Sequence, residues 1–183
     1  MKDFYREYPL LSLCGLSCGL CTMHLGGYCP GCGGGDGNQS CAIARCGQAH
    51  GVEFCCHCPE YPCGRYETLD AYDSFISTRN MRKNLEKVRV LGLDACKAEM
   101  EEKSRLLSHL LETCNAGRQK SFFATAVNLL DLEDLRSVWG ALEAEDGDLP
   151  ERAGRAVQLL QSAAEAAGIE WKPRKKPKKN GPV

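Results

Sequence analysis

Eleven of the thirteen cysteines fall between Cys14 and Cys63, and their spacing is that of metal ligands. Three C-x-x-C pairs can be read: Cys18/Cys21, Cys29/Cys32 and Cys55/Cys58. A C-x4-C pair, Cys41/Cys46, lies between them, with Cys14 ahead of the first pair and Cys63 after the last. Two residues between thiolates let both sulfurs reach one tetrahedral ion through a tight turn. Pro30-Gly31 inside "CPGC" is turn chemistry of the same kind. A lone C-x-x-C would serve redox chemistry equally well, but three of them with a fourth pair predict at least two tetrathiolate sites. One grouping takes Cys18, Cys21, Cys29 and Cys32 together and Cys41, Cys46, Cys55 and Cys58 as the second set. Cross-braced pairing is equally permitted by the spacing. Cys14 and Cys63 would then complete a third site with a histidine, or bridge two ions. His24, His50 and His57 are the histidines available, and an exposed loop position is the default for each. His57, inside "CCHC", departs furthest from that default. Cys96 and Cys114 lie in helical stretches and read as small core residues.

Zinc accounts for most of these cysteines at once, at two or three ions per chain. An iron–sulfur cluster is the alternative, since thiolates serve both metals. Cys14 to Cys21 also reads C-x3-C-x2-C, the spacing of radical S-adenosylmethionine enzymes. Those enzymes need a barrel behind the cluster, and a helical remainder offers none. Disulfides fit poorly, because the cysteine count is odd and the compartment reads as cytoplasmic. The opening "MKDFYREY" balances Lys2 and Arg6 against Asp3 and Glu7, and the apolar run behind it is short and broken. No later stretch is long enough to span a bilayer.

The elements that must position these thiols divide the chain near Cys63–Glu67. Before that point glycine and cysteine dominate and apolar periodicity is absent. Residues 14–63 hold few large apolar side chains, and a segment of this size ordinarily needs metal or disulfides to fold. A structural zinc contributes about 10–16 kcal/mol in small peptides, against about 1.5–3 kcal/mol for one buried Leu or Phe. After the boundary the pattern turns helical. Met81, Leu85, Val88 and Leu91 share one face, with Gly92 as a stop and Asp94 as the cap of the next helix. That helix runs past Cys96, Met100 and Leu107 to "NAG" at Asn115–Gly117. Ser121 is expected to cap "SFFATAVNLL", Asp131 or Asp134 to start another helix through Leu142, and Pro150 to open a last one ending at Gly168. The predicted architecture is a small metal-stabilised, cysteine-rich, zinc-knuckle-like module (10–66), an all-α helical bundle (67–170) and a basic, disordered tail (171–183).

The stretches "CGLSCGLC", "CPGC", "CAIARC", "FCCHCPEYPC", "NLEKVRVLGLDA" and "GRQKSFFATAVNLL" together resemble the domain of unknown function 3795 family of cysteine-rich bacterial and archaeal proteins. The resemblance runs from Cys14 to Leu130, and "AGIEWKPRKK" is similar to the ending of longer members. It implies zinc binding through Cys14, Cys18, Cys21, Cys29, Cys32, Cys41, Cys46, Cys55, Cys58 and Cys63. Cys56 lies outside the family pattern, and Ala124 stands where some members have a further cysteine. The family carries no established reaction to transfer.

Other constellations read as structural. "GRQKSFF" is a capped helix start with Phe122 and Phe123 in the core rather than a phosphate contact through Arg118 and Lys120. "EAEDGD" (143–148) is a helix end and turn, and "GCGGGDG" lacks the Lys-Ser/Thr of a phosphate loop. No nucleophile–base pair stands in a plausible setting, so an enzyme is not indicated. A zinc enzyme with an open position beside His57 is the third reading, after zinc and iron–sulfur. A net charge of −1 gives no global pull toward nucleic acid. The six basic residues from Lys172 onward could touch RNA, DNA or acidic lipid. The expected role is an interaction or nucleic-acid-binding module, engaging a protein or nucleic acid through the helical face or this tail.

Overall fold

A computed structural model of the chain describes residues 1, 3–35, 41–144 and 146–176. Their regular structure is helical: α1 (Thr22–Leu25), α2 (Ala42–Ala49), α3 (Met81–Leu91), α4 (Leu93–Thr113), α5 (Lys120–Leu129), α6 (Leu132–Glu143) and α7 (Leu149–Ala166). Single 3-10 turns cover Cys18–Leu20, Cys55–His57 and Gly64–Tyr66. Among the described residues there is no strand, and the one isolated bridge joins Tyr5 to Gly34. The architecture is all-α. No helix among these residues is long and apolar enough to cross a membrane.

Local chemistry explains the helix boundaries. Gly92 takes φ 82° and turns the chain from α3 straight into α4, a conformation that suits glycine. Asp94, expected as the cap, therefore sits inside the first turn of α4, where its charge favours the helix dipole. At α5 the expected cap Ser121 also lies inside the helix, which starts at Lys120. The Asn115 side-chain oxygen accepts from the Gly117 and Gln119 N–H groups and closes that turn instead. Asp131 is the N-cap residue of α6, but its carboxylate pairs with Lys83 at 2.6 Å rather than capping. At α7 Asp148 and Glu151 form a reciprocal capping box with Pro150 in the first turn.

The 21-residue α4 is the central helix and packs against α3, α5, α6 and α7. Leu85, Leu107, Phe123, Val127, Leu130, Leu135 and Leu160 form its surrounding core. The cysteine-rich half joins that core directly. Leu11, Leu20, Phe54 and Tyr66 belong to the same buried cluster, which runs across residue 66 without a break. Gly15, at φ 92°, marks the closest approach, since a Cβ there would collide with the Met81 carbonyl at the start of α3. Few apolar side chains serve the front half; Leu11, Leu13, Leu20, Phe54 and Tyr66 are enclosed, whereas Tyr5 and Tyr28 are exposed.

The start of the expected tail is tied down. Trp171 packs on Phe122 with ring centroids 5.0 Å apart. Arg174 donates from its backbone N–H to Asp73 Oδ2 at 2.9 Å, and the Asp73 N–H donates back to the Arg174 carbonyl at 2.8 Å. Of the expected tail, residues 177–183 lie outside the described residues.

Candidate metal centre

The cysteine-bearing turns hang from one short stretch, Pro9–Leu13. The Cys32 N–H donates to the Pro9 carbonyl at 2.9 Å, Gly19 to Leu10 at 2.8 Å, and Cys55 to Leu13 at 2.9 Å. Backbone groups must be satisfied when they leave water, so this segment fixes three thiol-bearing loops at once. Two of those loops are copies of one conformation. Cys18–Leu20 and Cys55–His57 are both 3-10 turns, closed by Cys21 (φ −77°, ψ 134°) and Cys58 (φ −78°, ψ 133°). In each, the second cysteine donates its N–H to the carbonyl of the first, at 3.1 and 3.0 Å. Such a turn brings the two side chains of a C-x-x-C pair to the same side.

The ten cysteines singled out by sequence line two cavities. Cys14, Cys18, Cys21, Cys29, Cys32 and Cys41 line one of about 280 Å³. Cys46, Cys55, Cys58 and Cys63 line a second of about 30 Å³. The arrangement differs from the grouping by sequence order, because Cys41 joins the first set and Cys63 the second. Cys56, Cys96 and Cys114 line neither of these two cavities. Cys96 and Cys114 are buried in the core, as expected. All thirteen cysteines are free thiols, with no disulfide among them.

Among the described residues, no three His, Cys, Asp or Glu side chains are gathered closely enough to hold an ion. Burial raises the pKa of four of the ten cysteines. It pushes the Cys14 thiol up to about 11 against the help of the Ser12 hydroxyl, and Cys55 up to about 12 against a hydrogen bond from Tyr66. Cys18 is also raised well above its ordinary value by burial, and next by the neighbouring Cys32. Cys32 is raised by burial, moderated by the Leu13 N–H and by Arg6. The donor set fits a thiophilic ion, because all-sulfur ligation selects zinc or an iron–sulfur centre over hard cations.

The histidines separate. His50 lines the second cavity and its Nδ1 lies 2.8 Å from the Cys46 carbonyl. His24 Nδ1 is held by the Cys29 carbonyl at 2.9 Å. His57 is exposed, turns edge-on to Phe54 at 5.9 Å, and lines neither cavity.

Two supporting residues escaped the sequence reading. The Arg6 side chain is 2% exposed and donates to the carbonyls of Glu53 (2.8 Å), Leu11 (2.9 Å) and Cys32 (3.2 Å). Its charge also faces Glu53 Oε1 at 3.0 Å, and its guanidinium stacks over Phe54 at 4.8 Å. One guanidinium thus joins the Cys29–Cys32 loop to the strand of chain entering Cys55. Tyr66 is 2% exposed, and its hydroxyl reaches the Cys14 carbonyl at 3.3 Å as well as the Cys55 thiol. In sequence Arg6 looked like one of several balanced surface charges. Only its burial reveals the role.

Compared with known proteins, the chain matches no family model, no curated protein and no solved structure.

Proposed function

We propose that the chain is a zinc-binding protein in which the two thiol-lined cavities hold the metal and lock the cysteine-rich half onto the helices. What supports this is the division of the ten cysteines, six and four, between two cavities. The paired C-x-x-C turns and the all-sulfur donor chemistry agree with it, as does the resemblance to the cysteine-rich family named above. Its molecular role is that of an interaction module. Tyr28 (76% exposed) and Phe75 (61%) stand at the edge of the six-thiol cavity, where a partner would meet them.

Elemental analysis of colourless, anaerobically purified protein is expected to return zinc and no iron. A brown solution absorbing near ~400 nm would instead favour an iron–sulfur centre. Chelation is expected to abolish the fold of residues 10–66, read by circular dichroism and protease resistance. Retention of both after complete metal removal would defeat the proposal. For nucleic acid, Arg174 is committed to Asp73, so the deletion that tests the basic ending starts at Lys175. Salt-dependent binding that survives this deletion rules the ending out as the contact.

A further inference from the structure

Of the described residues that line the six-thiol cavity, Ser74, Phe75 and Ile76 alone lie beyond Ala44. The segment 74–76 is therefore a wall supplied from outside the cysteine-rich half. From the ties on either side of it, we propose that residues 169–174 form a strap that holds this wall in place and so controls access to the six thiols. Ser74, Phe75 and Ile76 also line a separate cavity of about 270 Å³, together with Trp171 and Pro173 of the strap. The wall thus has the thiols on one side and the strap on the other.

The bonds of the strap bracket the wall. Ahead of it, the Asp73 N–H donates to the Arg174 carbonyl at 2.8 Å, and the Arg174 guanidinium donates to Asp73 Oδ1 at 3.2 Å. Behind it, the same guanidinium donates to Thr78 Oγ1 at 3.0 Å, and Arg79 donates to the carbonyls of Glu170 and Lys172. Asp73 couples strap to wall. Its carboxylate accepts the Arg174 N–H at 2.9 Å and, across the wall, the Ser77 hydroxyl at 3.0 Å and the Thr78 N–H at 2.9 Å. On the inner side Ile76 is buried and the Ser77 carbonyl accepts from Asn128 at 3.0 Å, whereas Phe75 is exposed. Polar ties at a surface open locally at far lower cost than a packed core. The strap can therefore release while the helices stay folded, and its release frees Ser74 and Phe75 to swing away from the thiols.

The test is peptide-resolved alkylation of the full chain by iodoacetamide under native conditions, with the four thiols of the second cavity as the internal reference. The reagent must reach a sulfur whether or not it carries zinc, so the comparison does not depend on the zinc reading. In Arg174→Ala, and separately in Arg79→Ala, alkylation of the six thiols is expected to quicken about 10-fold, the weight of one charge-assisted hydrogen bond. Cys46, Cys55, Cys58 and Cys63 should keep their wild-type rates. Phe75→Ala, at an exposed position, thins the wall without untying the strap. It should quicken the same six thiols with tryptophan fluorescence unchanged, which keeps the proposal testable should neither arginine variant fold. Unchanged rates at the six thiols in any of these variants, or a rise shared by both sets, overturn the strap.

Discussion

Cys41, the N-cap of α2, and Cys46, five residues on within that helix, line different cavities. Cys41 has extended backbone (φ −126°, ψ 122°) while Cys46 is helical, so the two side chains leave this segment from different backbone settings. The C-x4-C pair is therefore not a chelating knuckle like the C-x-x-C pairs. It makes α2 a wall shared by both cavities, held to Pro9–Leu13 by the contact of Gly47 with Leu13.

Arg6→Ala is expected to destabilise the protein by about 3–5 kcal/mol, because one buried cation satisfies three carbonyls and faces Glu53. Arg6→Lys should restore little of this, since an ammonium cannot reproduce the planar fork. Urea denaturation midpoints measure both; a wild-type midpoint for Arg6→Ala would contradict the assigned role.

Gly15→Ala and Gly51→Ala separate collision from backbone strain. Both glycines have positive φ, 92° and 62°, but only at Gly15 would a Cβ strike backbone, the Met81 carbonyl. Gly51→Ala is expected to cost about 1–2 kcal/mol, and Gly15→Ala more than twice that. Equal shifts in melting temperature would show that the two halves do not meet at Gly15.

Asp73 makes the junction with residues 171–174 acid-sensitive. Its side chain is 4% exposed. Burial alone would raise its pKa, but hydrogen bonds from the Arg174 and Thr78 N–H groups outweigh that and hold it at about 2. A carboxylate with a depressed folded pKa contributes its stability above the unfolded value of 3.8 and loses it as pH falls through about 2. The shift corresponds to about 2 kcal/mol. Trp171 fluorescence should report release of the 171–174 segment between about pH 4 and pH 2. In Asp73→Asn this acid step should vanish, and an unchanged profile would count against the clamp.

Tyr66→Phe keeps the ring between Tyr61 and Arg82 and deletes only the hydroxyl that serves Cys14 and Cys55. Loss of one such bond costs about 1 kcal/mol of stability. On the zinc reading it also weakens metal affinity about 10-fold through the lost support of a ligand. Competition with a chromophoric chelator measures the affinity, and parity with wild type would exclude that support.

Much of this protein is written locally. The stripe Met81, Leu85, Val88, the stop at Gly92 and the Pro150 opening of α7 depend on neighbours within a turn or two, so sequence determines them, although Leu91, expected on that stripe, is 63% exposed. The same holds for the Cys18–Cys21 and Cys55–Cys58 turns, whose hydrogen bonds close within four residues, whereas Cys32 donates to Pro9. What only the tertiary structure decided involves residues far apart in the chain. Cys63 sharing a cavity with Cys46, Arg6 reaching Glu53, and Asp73 meeting Arg174 across 101 positions follow from how segments pack. No spacing rule encodes these meetings, because burial and direction are settled only when Pro9–Leu13 and α4 bring the pieces together.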